Sequence, residues 1–370
     1  MLTATAPKTV ATDASTTLNG DWLVCDRDGT LCAYVPRDGA VVCLTEDRTH
    51  AGGWQPPRRI GGDARLLADL AVGQGRDRYV HLVSLRECGA KGQVELVHSV
   101  HFQSRLAALD WTSLGHPNKN RPRTGTPAVT VDAQGRAHVF VRNEFGGLSM
   151  RAQRERGGWE PWRDLKGKHL EEELVAVTTA AGLVEVYAPV LGGILRWRQT
   201  EPGGVPVLEG LLPARVRPGT LRAMATSEDS VTLFFTDLEG TLVAWRPDLN
   251  PEPVPVVAAA GDGRAAAVRC VLEGYDCTLF AQQSVTGRTA MAAYPTEVES
   301  AGAWWAESGP QLPDTLRVAL CADARGRLVV GALSQAEGVL RTVRQKAEPG
   351  LAFGAWDKAS LVTGALGPAR

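Results

Sequence analysis

The amino-acid sequence predicts an all-β fold, a seven-bladed β-propeller whose four-stranded antiparallel blades surround a central channel. Three observations predict it: a strand-and-turn pattern recurring about every 47 residues, an Asp-x-x-Gly turn at one place in three of the repeats, and tryptophans at matching positions from repeat to repeat.

The clearest unit spans residues 127–165 and reads PAVTVDA, turn QGR, AHVFVRN, turn EFGG, LSMRAQR, turn ERGG, then WEPWRDL. Its segments place β-branched or aromatic residues at alternate positions, as half-buried strands do, and glycine-bearing turns join them as hairpins. The run DAQGRAHVFVRNEFGGLSM from Asp132 recurs as DRDGTLCAYVPRDGAVVCL from Asp26 and as DARGRLVVGALSQAEGVLR from Asp323. An aspartate opening such a turn accepts backbone N–H bonds, and the glycine supplies a positive φ.

Fainter copies over residues 67–111, 174–208, 221–257 and 267–305 bring the total to seven. Trp197 and Trp245, 48 residues apart, sit in third strands, while Trp54, Trp111, Trp159, Trp304 and Trp356 mark fourth strands. Each unit has two faces to cover and only a closed ring covers them all, so the repeated tryptophans read chiefly as packing between blades. No segment between repeats has linker composition. Residues 20–363 are therefore expected to form one domain between a flexible N-terminal tail, 1–19, and a C-terminal tail, 364–370. HLEEELVAV from His169 is the one short helical candidate, and residues 174–178 read better as strand.

With 44% hydrophobic and 22% charged residues and a formal net charge of −1, the composition is that of an ordinary soluble globular protein. The balanced charge argues against bulk electrostatic attraction to nucleic acid or to an anionic membrane, and neither is expected as a partner. The polar N-terminus lacks the pattern of a secretory signal and no apolar stretch is long enough for a membrane helix, so a cytoplasmic location is the expectation. Arginine outnumbers lysine 33 to 7, which fits a GC-rich bacterial genome. Seven cysteines without CxxC or zinc-ligand spacing read as buried free thiols. His98 and His101, three apart in a strand, point to opposite faces, so no metal is expected. No phosphate-cradling loop or nucleophile elbow is visible, and no cofactor is expected.

The stretch WTSLGHPNKNRPRTGTPAVTVDAQGRAHVFVRNEFGGLSMRAQRERGGWEPWRDLKG, residues 111–167, resembles the repeat of bacterial fucose-binding seven-bladed propeller lectins and their tectonin-like relatives. The resemblance is strong across this unit, moderate in the first and last, and faint elsewhere. It implies sugar pockets between adjacent blades, with aromatic rings against the apolar sugar face, and it directs attention to Trp111, Arg142, Trp159 and Trp162.

A second candidate comes from the residues alone. Arg222, Arg269 and Arg317 recur at nearly one place in three consecutive units, 47 and 48 residues apart. Converging on a channel rim, they would bind a carboxylate or phosphate; alternatively each pairs with an acid such as Asp262, Asp314 or one of Glu171 to Glu173. His81, His138, Glu185 and Tyr187 are polar positions within apolar strands and serve as general acid/base candidates, or equally as satisfied contacts between blades. Two functions follow. The first is a lectin-like propeller recognising a glycan or sugar-bearing small molecule. The alternative is a cytoplasmic enzyme of specialised, natural-product metabolism, with one asymmetric site at the channel mouth holding an anionic substrate. A protein-interaction scaffold draws no specific support from the sequence.

Overall fold

A computed structural model describes residues 17–49, 53–60, 65–89, 93–118, 125–228, 230–312 and 316–362. Within them the chain forms seven antiparallel sheets arranged as a seven-bladed propeller, with a single 3₁₀ turn, Glu299–Ala301, as its helical content. Blade 1 runs Leu23–Cys25, Leu31–Arg37, Ala40–Asp47, Gly53–Trp54, with Arg58–Ile60 also paired to its third strand. Blade 2 comprises Leu66–Gln74, Val80–Cys88, Gln93–His101 and Thr112–Gly115; blade 3 comprises Ala128–Val131, Ala137–Arg142, Leu148–Ala152 and Arg163–Asp164. Blade 4 is Val175–Thr178, Val184–Val190, Gly193–Arg198 and Val207–Pro213, and blade 5 is Arg222–Ala225, Val231–Thr236, Thr241–Trp245 and Val254–Ala258. Ala266–Leu272, Tyr275–Gln283, Thr289–Pro295 and Ala306–Ser308 make blade 6; Leu316–Ala322, Leu328–Ser334, Val339–Arg344 and Asp357–Ser360 make blade 7. The helical reading near His169 gives way to coil leading into Val175–Thr178, as the alternative strand reading expected.

The Asp-x-x-Gly turns are built alike. Asp26 Oδ1 accepts the N–H groups of Asp28 and Thr30, Asp132 Oδ1 those of Gln134 and Arg136, and Asp323 Oδ1 those of Arg325 and Arg327, all at 2.8–3.0 Å. A second repeated device closes the other end of the hairpin. The side-chain carbonyls of Gln153, Gln199 and Gln345, each just past a third strand, accept the N–H of Ala137, Val184 and Leu328 at 2.7–3.0 Å. These bonds fix which positions correspond between blades, because each ties a third strand to the start of its own second strand.

The blades are held to one another by apolar faces and by indole N–H groups that reach back to the preceding blade. Trp111 donates to Ile60 O, Trp162 to Leu114 O, Trp197 to Leu165 O, Trp305 to Ala258 O and Trp356 to Ser308 Oγ. Trp54 donates to Thr342 Oγ1 at 3.2 Å and so joins blade 1 to blade 7. In blade 6 the packing ring is Trp305, just before the fourth strand; its neighbour Trp304, expected to mark the packing position, is 81% exposed.

Among the described residues no blade combines strands from the two ends of the chain. Closure rests on side chains: Trp54 with Thr342, Arg344 with Glu46, and the entry of Trp22 and Leu23 beside Gly331. Gly331 stands opposite Thr342 as Phe140 stands opposite Met150 in blade 3, and a Cβ there would come within 2.9 Å of Leu23. Thr17–Gly20, three residues of which lie in the expected N-terminal tail, instead forms a parallel strand on Leu66–Gln74, the innermost strand of blade 2. Gly20 is required there, since its φ is +75° and a Cβ would lie 2.0 Å from Val72 O. The remaining tail residues, 1–16 and 364–370, lie outside the described residues.

Trp197 is fully buried, and Trp197→Ala should lower unfolding stability by about 3–5 kcal/mol, whereas Trp304→Ala should change it by less than about 0.5 kcal/mol. Urea denaturation of the two variants measures the contrast.

Candidate functional site

Corresponding positions at each junction between blades decide where the ring is open. The second-strand positions His138, Glu185 and Val329 correspond, paired across the hairpin with Ala152, Arg198 and Arg344, and the next pairs bring in Met150, Arg196 and Thr342. Between blades 4 and 5 this slot is filled by charge. Arg196, 3% exposed, contacts Glu185 Oε2 at 3.0 Å and takes Asp248 of blade 5 with both terminal nitrogens, at 2.6 and 2.8 Å. Arg198 adds a bond to Glu185, and Tyr187 donates its hydroxyl to the same carboxylate. Burial, with Asp248 nearby, raises the Glu185 pKa against the opposing pull of Tyr187 and Arg196. Between blades 2 and 3 the slot is filled by rings: His81 Nδ1 lies 3.0 Å from His98 Nε2, and His98 meets Trp159 edge-on at 4.9 Å.

Where those side chains shrink or separate, the junction opens. Met150 and Ala152 leave a cavity of about 710 Å³ between blades 3 and 4, bordered by Arg136, His138, Glu160, Arg163 and Glu201. His138 donates through Nε2 to Asp132 Oδ2 at 2.9 Å, and its buried Nδ1 has no partner. Burial alone would raise the Asp132 pKa; the bonds from His138 and Arg136 outweigh it and hold the carboxyl down at about 2.

The larger opening, about 760 Å³, lies between blades 7 and 1. One wall carries Trp54, whose N–H is anchored on Thr342, so the ring is held in a fixed orientation. Arg344 extends from the third strand of blade 7 to Glu46 Oε1 at 2.5 Å and approaches Asp323 at 3.5 Å, and Arg327 donates to Asp323 at 3.0 Å. Glu46, Asp47, Asp323 and Asp357 border the cavity against Arg48, Arg325, Arg327 and Arg344, four acids and four bases. Burial pushes the Asp357 pKa up, with Arg344 opposing. The site thus offers one oriented aromatic face and a border of donors and acceptors in which carboxylates and guanidinium groups are equal in number.

The sequence-derived candidates are distributed differently. Trp111 is 8% exposed and packs on blade 1, Trp159 and Trp162 pack on blade 2, and Arg142 donates to Leu170 O ahead of blade 4, so the four serve three junctions. Of the three arginines, Arg222 borders a small cavity of about 60 Å³ in the channel with Asn19, Asp21 and Arg264, and bonds Asp21 Oδ1 at 2.7 Å and Ala267 O. Arg317 is near enough to Arg264 that burial and then this cation lower its pKa. Arg269 points elsewhere, to Asp276 at 2.5 Å across its own hairpin. Arg264, overlooked in the sequence, takes its place, paired with the buried Glu173 at 2.5 Å and with Asn19 Oδ1 at 3.3 Å. Asp262 pairs instead with Arg217, and Asp314 lies outside the described residues. Asn19 also donates to Pro127 O and Leu174 O at 2.9 Å, so the channel is occupied by the chain's own first strand where an anion was expected. His81, His138, Glu185 and Tyr187 lie at three separate junctions, each beside a local partner.

No protein-family model matches the chain, and no curated protein matches it in sequence. Solved structures do superpose on it. AofleA from Arthrobotrys oligospora aligns with a TM-score of 0.53 at 12% identity over 82% of this chain and 91% of that one. The Aleuria aurantia lectin in complex with Fucα1-6GlcNAc aligns at 0.52 and 14% identity over 82% and 99%. Another structure of that fungal lectin, described as a six-bladed β-propeller with a novel fucose recognition mode, aligns at 0.51 and 15% over 82% and 99%. The likeness is one of propeller fold. It differs from the expected resemblance in two respects, since that lectin is fungal and has six blades whereas seven are present here.

The paired histidines make stability depend on pH. Burial lowers His81 to about 4, and burial with His81 beside it lowers His98 to about 3. The unfolded chain binds these protons near pH 6.5 and the folded chain does not, so the contribution is full above that pH and is lost as pH falls toward 4 and below. The urea midpoint should fall across this window, and His98→Phe should flatten the fall; urea titrations at successive pH values measure both.

Proposed function

We propose that the protein is a sugar-binding propeller that takes a neutral glycan in the cavity between blades 7 and 1. The observation carrying this reading is the composition of that cavity: the fixed ring of Trp54 beside four carboxylates and four guanidinium groups that neutralise one another. A sugar presents an apolar C–H face and a rim of hydroxyls, each both donor and acceptor. An oriented indole suits the first, and charged pairs such as Arg344–Glu46 suit the second, because a hydroxyl can donate to the carboxylate while accepting from the guanidinium. An anionic ligand would meet as many negative groups as positive ones. The fold likeness to the Aleuria aurantia lectin, solved with Fucα1-6GlcNAc and with α-methyl-L-fucoside, makes fucosides the first ligands to try.

The cavity between blades 3 and 4 is the second location for such a ligand, with the unpartnered Nδ1 of His138 at its border. It has no aromatic wall, so the cavity at blades 7 and 1 is the tighter site of the two.

A glycan array followed by calorimetry with α-methyl-L-fucoside tests the reading. Trp54→Ala and Arg344→Met, each compared with the wild type under conditions where circular dichroism shows both folded, should weaken binding by about tenfold or more, and binding should change little with salt. Absence of any glycan ligand, or unchanged affinity in both variants, refutes the assignment.

A further inference from the structure

The hairpin turn between the second and third strands lies, in each blade where that turn is described, on the face opposite the two large cavities, since those border the turns joining first to second strands and third to fourth. In four consecutive blades this turn ends in an apolar side chain held out in solvent. Phe145 of blade 3 is 85% exposed, Leu191 of blade 4 is 96%, Leu238 of blade 5 is 48% and Val285 of blade 6 is 87%. Turn geometry does not require them. The turns are shaped by polar and glycine residues instead: Asn143 Oδ1 accepts the N–H of Phe145 and Gly147, Asp237 Oδ1 accepts that of Thr241, and Gly192 and Gly287 take positive φ. In blades 1 and 7 the same turns carry Asp38 and Gln335 to Glu337. Single exposed apolar residues are ordinary; four in a row at one structural position form an arc on one face.

We propose that this arc is the contact between two copies of the chain, stacked face to face about a two-fold axis that lies between them, parallel to the plane of the rings. Such an axis, passing between blades 4 and 5, brings Phe145 opposite Val285 of the second copy and Leu191 opposite Leu238, so all four tips meet apolar partners. That self-complementarity is what an isologous contact requires. Four side chains of this size, at roughly 100–150 Å² each, together with the flanking turns approach the ~800 Å² per partner of a standard stable interface. Arg215 pairs with Glu239 and Arg217 with Asp262, and the segment joining blades 3 and 4 carries both signs, Lys166 and Lys168 beside Glu171 and Glu172, so the face carries no strong charge of one sign to repel its copy. Both large cavities then face outward on opposite ends of the stack.

Sedimentation velocity over a concentration series tests this with the full chain. The wild type should dimerise, and Phe145→Ser with Leu191→Ser should raise the dissociation constant at least about tenfold. Circular dichroism should be unchanged because neither side chain is buried. A mixture of Phe145→Cys and Val285→Cys chains should cross-link to each other on oxidation more than either does with itself. A wild type that stays monomeric throughout, a dimer insensitive to the double variant, or a monomer that binds phosphatidylcholine vesicles through these tips overturns the proposal. The outcome is independent of sugar binding, since no residue of the arc borders either large cavity.

Discussion

Every blade is a sheet with two apolar faces, and neither face is covered by anything within the blade itself. The structure follows from satisfying that demand seven times over. Six blades send an indole N–H back to the blade before them, which fixes the separation and tilt at which the next sheet can pack. Because Trp54 makes the same kind of contact from the first blade to the last, the ring closes, among the described residues, through side chains. The core around blade 1 accordingly draws residues from three blades, Leu333 and Leu340 of blade 7 and Leu82 and Val97 of blade 2 among them.

The same packing rule distributes chemistry. Corresponding slots between blades receive whatever the second and third strands offer. Where those offerings are bulky or mutually charged, as with Arg196 and Asp248 or His81 and His98, the slot is filled and contributes to stability. Where one partner is small, as at Ala152, or is held aside, as Arg344 is by Glu46, a cavity remains. An open slot in this fold is thus a local failure of packing bordered by groups that elsewhere act as mortar.

Much of the architecture was legible in the sequence because backbone chemistry repeats. Asp26, Asp132 and Asp323 open turns with nearly identical hydrogen bonds, and that uniformity is visible as a motif. Glutamine at the end of the third strand, in RAQ, WRQ and VRQ, was an equally regular signal that went unread, and it would have aligned the fourth blade with the third and seventh. The site was less legible, since a cavity depends on pairs of side chains from neighbouring blades about 30 to 300 residues apart in sequence. The equal spacing of Arg222, Arg269 and Arg317 suggested convergence, yet Arg269 lies further along a longer hairpin and finds Asp276, while Arg264 enters the channel from the preceding loop. Trp54 was visible as a strand marker, but only its exposure to the gap beside Arg344 distinguishes it from the tryptophans that are wholly packing.

Since each sheet's four antiparallel strands come from one uninterrupted stretch of chain, a blade is a transferable unit. Its gain or loss requires no re-pairing of strands elsewhere, only that the new neighbours supply an indole and an apolar face at the seam. Such a chain can change its number of modules by duplication or deletion of a single segment, the seven found here being one solution among several ring sizes.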